Sequence, residues 1–158
     1  MNFLPISINI TNKTILIIGG GRIACHKIQF LSQFTSKIKV VAENVDDKIK
    51  NAGYEFIEKS YEDTDLQDAF LIYACTNIKE LNQRVKDDAE NYGILCNVVD
   101  NPALCDFVSP AILKRGIYTV ACSSNGQDVY KSIEMRDTIK KYFEHDPTVF
   151  DTAKFTPN

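Results

Sequence analysis

An apolar run, Thr14 to Ile18, meets an amphipathic stretch beginning at Arg22, and between them stand Gly19, Gly20 and Gly21. With Arg22, Ile23 and Ala24 they fit the pattern G-x-G-x-x-A, in the strand-before, helix-after setting that gives the pattern its meaning. The chemistry is that of the main chain. Gly19 permits a sharp turn, Gly21 has no Cβ and so lets a pyrophosphate approach the backbone, and Ala24 lets the helix pack closely on the strand. The start of the helix adds unpaired N–H groups and a positive dipole end. Arg22, in the same turn, could meet a phosphate as well. The structural alternative is a tight turn that holds no ligand.

Glu43 stands near the end of the next apolar run, about 20 residues beyond the glycines, where a carboxylate can accept hydrogen bonds from a ribose diol and repel a 2′-phosphate. That placement favours NAD over NADP, although Arg22 in the glycine turn complicates the choice, since an arginine there could also meet a phosphate; the alternative for Glu43 is a solvated surface glutamate. Ligands of open α/β sheets bind outside the carboxyl ends of the strands. Two more apolar runs end in polar residues there: one in Cys75-Thr76-Asn77, the other in Asn97-Val98-Val99-Asp100. Asp100 at that edge could move a proton, or it could cap the turn at Asn101-Pro102.

These residues require strands alternating with helices. Ile6, Ile8 and Ile10 alternate with polar residues as a half-buried strand would. Strands are expected at Thr14–Ile18, Lys37–Ala42, Tyr54–Ile57, Ala69–Cys75 and Ile94–Val99, the first and fourth of them buried, and helices over 22–34, 44–52 and 78–92, with a loop or short helix at Asp63–Asp68. Leu81, Val85, Ala89 and Tyr92 share one helical face, and Gly93 suits a C-cap. The alternation predicts a doubly wound parallel sheet. After Asp100 the rhythm changes: Asn101-Pro102 and Pro110 break the chain, a strand follows at Ile117–Cys122, then the turn Ser123 to Gly126 and a helix over 127–143. The expected organisation is a nucleotide-binding domain over 1–110, a small α+β segment over 111–145, and a tail over 146–158 without periodicity.

The 158 residues, 44% hydrophobic and 25% charged, suffice for one compact core with a small appendage. A formal net charge of −3 disfavours a general nucleic-acid binder. No apolar run reaches the roughly 18 residues needed to cross a bilayer, and the amino-terminal stretch lacks the features of an export signal, so a cytoplasmic protein with no membrane partner is expected. The five cysteines and two histidines form no C-x-x-C pair and no cluster of zinc-ligand spacing; no metal site is expected, and reduced thiols packed as small hydrophobes are.

Taken together, GGGRIA, ACTN, NVVDNPALCDFVSPAI and YTVACSSNG resemble precorrin-2 dehydrogenase, the N-terminal part of the bifunctional siroheme synthases, over residues 3 to about 143. The resemblance implies a Rossmann-like domain followed by a dimerisation segment, hence a homodimer. It also implies NAD-dependent oxidation of the anionic tetrapyrrole precorrin-2 to sirohydrochlorin, and some members of the family insert ferrous iron. It places the family's catalytic aspartate on Asp100. Its dinucleotide contacts fall on Gly19, Gly20, Gly21, Arg22, Ile23 and Ala24, on Glu43 and Asn44, and on Thr76 and Asn77. A serine phosphorylated in some bifunctional members falls on Ser124. The basic residues Lys114, Arg115, Lys131, Arg136, Lys140 and Lys141 would suit an anionic ligand. The family's glycine-rich turn ending in Ser-Pro reads here Ser123 to Val129 without the proline. A protein of another class, a regulatory module that senses NAD and performs no chemistry, would share the glycine turn but not the strand-end Asp100 followed by Cys105-Asp106-Phe107.

Overall fold

The computed structural model describes residues 1–99 and 101–145. Its centre is a wholly parallel sheet in the order β3-β2-β1-β4-β5, built from β1 (Thr14–Ile18), β2 (Ile38–Ala42), β3 (Glu55–Glu58), β4 (Ala69–Ala74) and β5 (Leu95–Val98). β1 lies in the middle and is covered on both faces, so its sequence is a continuous apolar run rather than an alternation. Ile15 and Ile17 face one layer and Leu16 and Ile18 the other, none more than 1% exposed.

Helix α1 (Arg22–Leu31) and the short α2 (Asp47–Asn51) cover the first face, and α3 (Lys79–Asn91) covers the second. α1 turns Ala24, Ile28 and Leu31 inward at helical spacing. It stops before the expected residue 34 because Ser32 and Thr35 offer local alternatives to the helical ladder: Ser32 Oγ donates to Gln29 O, and Thr35 Oγ1 accepts from Lys37 N–H. α3 ends as anticipated, with Gly93 at φ +68° and Ile94 N–H bonded back to Ala89 O. A 3₁₀ turn at Asp63–Leu66 sets Leu66 into the second face. From β1 the chain winds outward to β2 and β3, then returns to β1's other side as β4 and continues to β5. The reversal leaves a crevice at the carboxyl ends of β1 and β4.

One expected strand is not there. Residues 6–10 form no strand, Ile6 and Ile8 are 66% and 36% exposed, and Ile10 alone of the three isoleucines packs against the core. The sheet's flanking strands are β3 and β5, and the segment pairs with neither. Alternation of residue type cannot supply a hydrogen-bonding partner.

Among the described residues the chain divides into two compact units, Ile6–Phe107 and Met1–Pro5 with residues 108–145. The second holds an antiparallel hairpin, β6 (Ala111–Arg115) and β7 (Tyr118–Cys122), and α4 (Val129–His145). β6 was not expected, since Pro110 reads as a break; a two-residue turn, Gly116-Ile117, with Gly116 at φ +55°, joins it to β7. At the head of α4, Asn125 and Gly126 take left-handed conformations, Asp128 Oδ1 accepts from Lys131 N–H at 2.8 Å, and Ser124 Oγ accepts from Asp128 N–H at 2.9 Å. An aspartate cap thus does the work of the missing proline. Phe3 N–H donates to Asn125 Oδ1 within the same unit. The predicted tail over 146–158 lies outside the described residues.

Candidate functional site

The site begins where β1 must turn into α1. Gly19 sits at φ +117°, and a Cβ there would lie 2.7 Å from the carbonyl oxygen of Cys75, at the end of β4. Gly20 is equally constrained: its Cβ would fall 2.3 Å from Asn44 O, and its own carbonyl accepts from Asp46 N–H. Gly21 differs. It is the N-cap of α1 and brings no side-chain cap to the helix, and a Cβ built on it meets nothing within 4 Å. Two glycines therefore let backbone meet backbone, and the third leaves open space in front of uncapped helix N–H groups. That space is shaped for an anion such as a pyrophosphate.

The turn lies in a cleft of about 680 Å³. Of the residues marked in the sequence, the cleft gathers Gly19, Gly20, Gly21, Arg22, Ile23, Glu43, Asn44, Thr76 and Asn77. Ala24 is fully buried in the layer beneath, where it brings α1 close to the sheet, and it does not line the cleft. Asp100 lies outside the described residues. Its neighbours are held: Val99 N–H donates to Ala74 O at 3.0 Å, and Asn101 N–H to Val98 O at 3.2 Å.

Glu43 follows β2 directly, and Ser60 Oγ donates to its Oε1 at 2.6 Å, fixing the carboxylate at one end of the cleft. The positive charges around it are largely engaged. Lys59 reaches Glu62 and Asp65 at 2.8 and 3.0 Å. Arg84 lies over the ring of Tyr61 and 3.6 Å from Asp88. Tyr61 OH donates to Asp88; burial first, and then that bond, hold the phenol protonated well above its usual range. At the cleft's other end, Thr76 and Asn77 leave β4 in a loop bound from below by Asn82 of α3. Nothing in the sequence pattern singles out Lys59, Ser60 or Arg84. The first two follow β3, and the rule that ligands sit at strand ends, applied to that strand, points to them.

The segment Cys105-Asp106-Phe107 turns back along β5. Asp106 Oδ2 accepts Cys96 N–H at 2.8 Å, and Asp106 N–H donates to Cys96 O at 2.9 Å, so one residue imitates a neighbouring strand. Its Oδ1 meets Lys86 Nζ at 2.8 Å; the Lys86 side chain is 7% exposed and also pairs with Glu90. Burial works to lower the Lys86 pKa, but its two carboxylate partners outweigh burial and raise it. Phe107 O accepts from Asn97 Nδ2, and its ring stands edge-on to Tyr73. None of the five cysteines is in a disulfide, and burial raises the Cys96 thiol to about 12. Among the described residues no three potential metal ligands come together, and no helix is long and apolar enough to cross a membrane.

A parallel sheet with a glycine turn at its reversal point, an uncapped helix facing the cleft and a carboxylate after β2 define a dinucleotide-binding protein. A family model described as "Putative NAD(P)-binding" matches residues 6–111, and the chain belongs to that family. It is 36% identical over 130 residues to siroheme synthase from Pseudomonas fluorescens (strain SBW25), a match covering 80% of this chain and 28% of that protein. It is 39% identical over 131 residues to siroheme synthase from Vesicomyosocius okutanii subsp. Calyptogena okutanii (strain HA), again covering 80% of this chain and 28% of the relative. The chain thus spans under a third of the length of these relatives. Its fold is like that of SirC, precorrin-2 dehydrogenase, with a TM-score of 0.75 at 21% identity, over 99% of this chain and 83% of the other.

Proposed function

We propose that this chain is an NAD-dependent oxidoreductase of siroheme biosynthesis that oxidises precorrin-2 to sirohydrochlorin in the cytoplasm. The observation that carries the reading is the continuous cleft from Glu43 across the open face of Gly21 to Thr76 and Asn77. The names of the siroheme synthases and of the SirC structure supply the substrate class.

Bound NAD supplies the hydride acceptor. The remaining work falls to the chain: Glu43, oriented by Ser60, receives the adenosine ribose, and the N–H groups at the start of α1, with Arg22 beside them, receive the pyrophosphate. The loop at Thr76 and Asn77 borders the nicotinamide half. Oxidation removes a hydride and a proton from the macrocycle, so a base is needed, and Asp100 is our assignment for it. Were ferrous iron inserted afterwards, it would be a substrate, and the same carboxylate would accept pyrrole protons. In the second unit Arg115, Lys131, Arg136 and Lys140 stand within ion-pair distance of Glu144, Glu134, Asp137 and Glu144. Their charge is thus partly neutralised toward an anionic substrate.

The test supplies the protein with precorrin-2 and either NAD or NADP and follows reduced cofactor and tetrapyrrole absorbance together. Turnover with NAD, slower turnover with NADP, and loss of turnover in Asp100→Ala with NAD binding retained are expected. NAD binding without turnover would favour the regulatory module, and equal use of NADP would remove Glu43 from its role.

A further inference from the structure

We propose that Asn82, which does not line the cleft holding the glycine turn, positions the loop that the nicotinamide half of the dinucleotide must pass, and so controls affinity for that half separately from the adenosine half. The inference rests on the dinucleotide reading above. Asn82 is 7% exposed, and both acceptor positions and one of the two donor hydrogens of its amide are spent on Thr76. Its Oδ1 accepts from Thr76 N–H at 3.2 Å and from Thr76 Oγ1 at 2.7 Å, and its Nδ2 donates to Thr76 O at 3.0 Å. Thr76 Oγ1 in turn accepts Ile78 N–H at 3.1 Å. A side chain this buried, with three of its four hydrogen-bonding positions given to one residue, acts through the residue it holds.

That residue stands at a divide. Beyond the first cleft lies a second hollow of about 900 Å³ that reaches Val98, Val99 and Asn101, and Asn82 stands in its wall beneath Thr76. Ile23, Thr76, Asn77 and Arg84 border both. Glu43 follows β2, on one side of β1, and Thr76 follows β4, on the other. A dinucleotide with its first ribose at Glu43 and its pyrophosphate on the glycine turn therefore carries its second nucleoside across the Thr76–Asn77 ridge. The ridge is seated closely on the turn itself, since a Cβ on Gly19 would come 2.7 Å from Cys75 O and 3.1 Å from Thr76 N. Without Asn82 the N–H and C=O of Thr76 lose the partners that set the height of the ridge, while Glu43, Ser60 and Gly21 keep theirs.

The full chain is titrated calorimetrically with NAD and, separately, with 5′-AMP, as wild type and as Asn82→Ala. The expected result is NAD binding weakened about tenfold, the size of one or two lost hydrogen bonds, with 5′-AMP binding unchanged. Should Asn82→Ala fail to fold, Asn82→Asp carries the same test, because it keeps both acceptor bonds and loses the donated one. Equal losses for NAD and 5′-AMP, or no loss for either, would overturn the role given to Asn82. A wild type that binds neither ligand would overturn the dinucleotide reading, and this inference with it.

Discussion

The three consecutive glycines are not interchangeable. Gly19 and Gly20 are each closed in by main chain, at 2.7 Å from Cys75 O and 2.3 Å from Asn44 O, whereas Gly21 faces open space. Backbone cannot yield as a flexible side chain can, so Gly20→Ala should destabilise the fold by about 1–3 kcal/mol, seen as a lower urea midpoint. Gly21→Ala, at an ordinary φ of −93°, should leave stability within about 1 kcal/mol of wild type and still abolish measurable NAD binding in calorimetry. Unchanged NAD affinity in Gly21→Ala would show that the anion does not settle there. The glycines, Glu43 and the Thr76–Asn77 pair could be read from the sequence because a backbone motif in fixed order, and the ends of strands, carry their own geometry. Asn82 and Ser60 could not. A polar residue on a helix, or just past a short strand, reads as solvated until the fold shows what it touches.

At the level of elements, the return of Asp106 along β5 explains why Cys105-Asp106-Phe107 stands where it does. The carboxylate satisfies Cys96 N–H and neutralises Lys86, a lysine almost enclosed by its surroundings. Asp106→Ala would leave both without that partner and should cost roughly 3 kcal/mol, measured by urea unfolding at neutral pH. Lys86→Met keeps the aliphatic stem and leaves a carboxylate that water can reach, so it should cost less. Because the folded Lys86 pKa is raised, its contribution is present below the unfolded lysine value of about 10.4 and fades as pH rises through the folded value. The gap between wild type and Asp106→Ala should therefore hold from neutral to mildly alkaline pH and narrow only above that. A gap that closed near pH 8 would place the stabilisation in some other group. Periodicity identified α3 through Val85 and Ala89 but could not reveal that Asn82 and Lys86 share its buried face. It also suggested a strand at residues 6–10, where the residue types alternate but the segment joins neither sheet.

On the scale of the whole molecule, the doubly wound parallel sheet was legible because β1 and β4 are apolar runs set among alternating strands and helices of ordinary length, whereas the order of its strands came from the structure. The second unit was less so: β6 lies hidden behind Pro110, and a two-stranded hairpin with one helix leaves much apolar surface in water. Val129, Tyr130, Met135 and Tyr142 on α4 and Ile117 at the hairpin turn are all more than half exposed. A hairpin and a helix bury too little to hide such residues themselves, and we propose that a second copy of the chain covers them in a homodimer. Light scattering at micromolar protein should give twice the chain mass, and a single-chain mass would refute it. The flanks of the central sheet have a different consequence. On one side Asp106 already occupies the donor and acceptor a visiting strand would seek; on the other, β3 carries Glu55 and Glu58, paired with Lys39 and Lys50. A ladder plugged at one margin and charged at the other gives passing chains little to zip onto, so fibril growth by edge-to-edge recruitment is discouraged even in crowded solution.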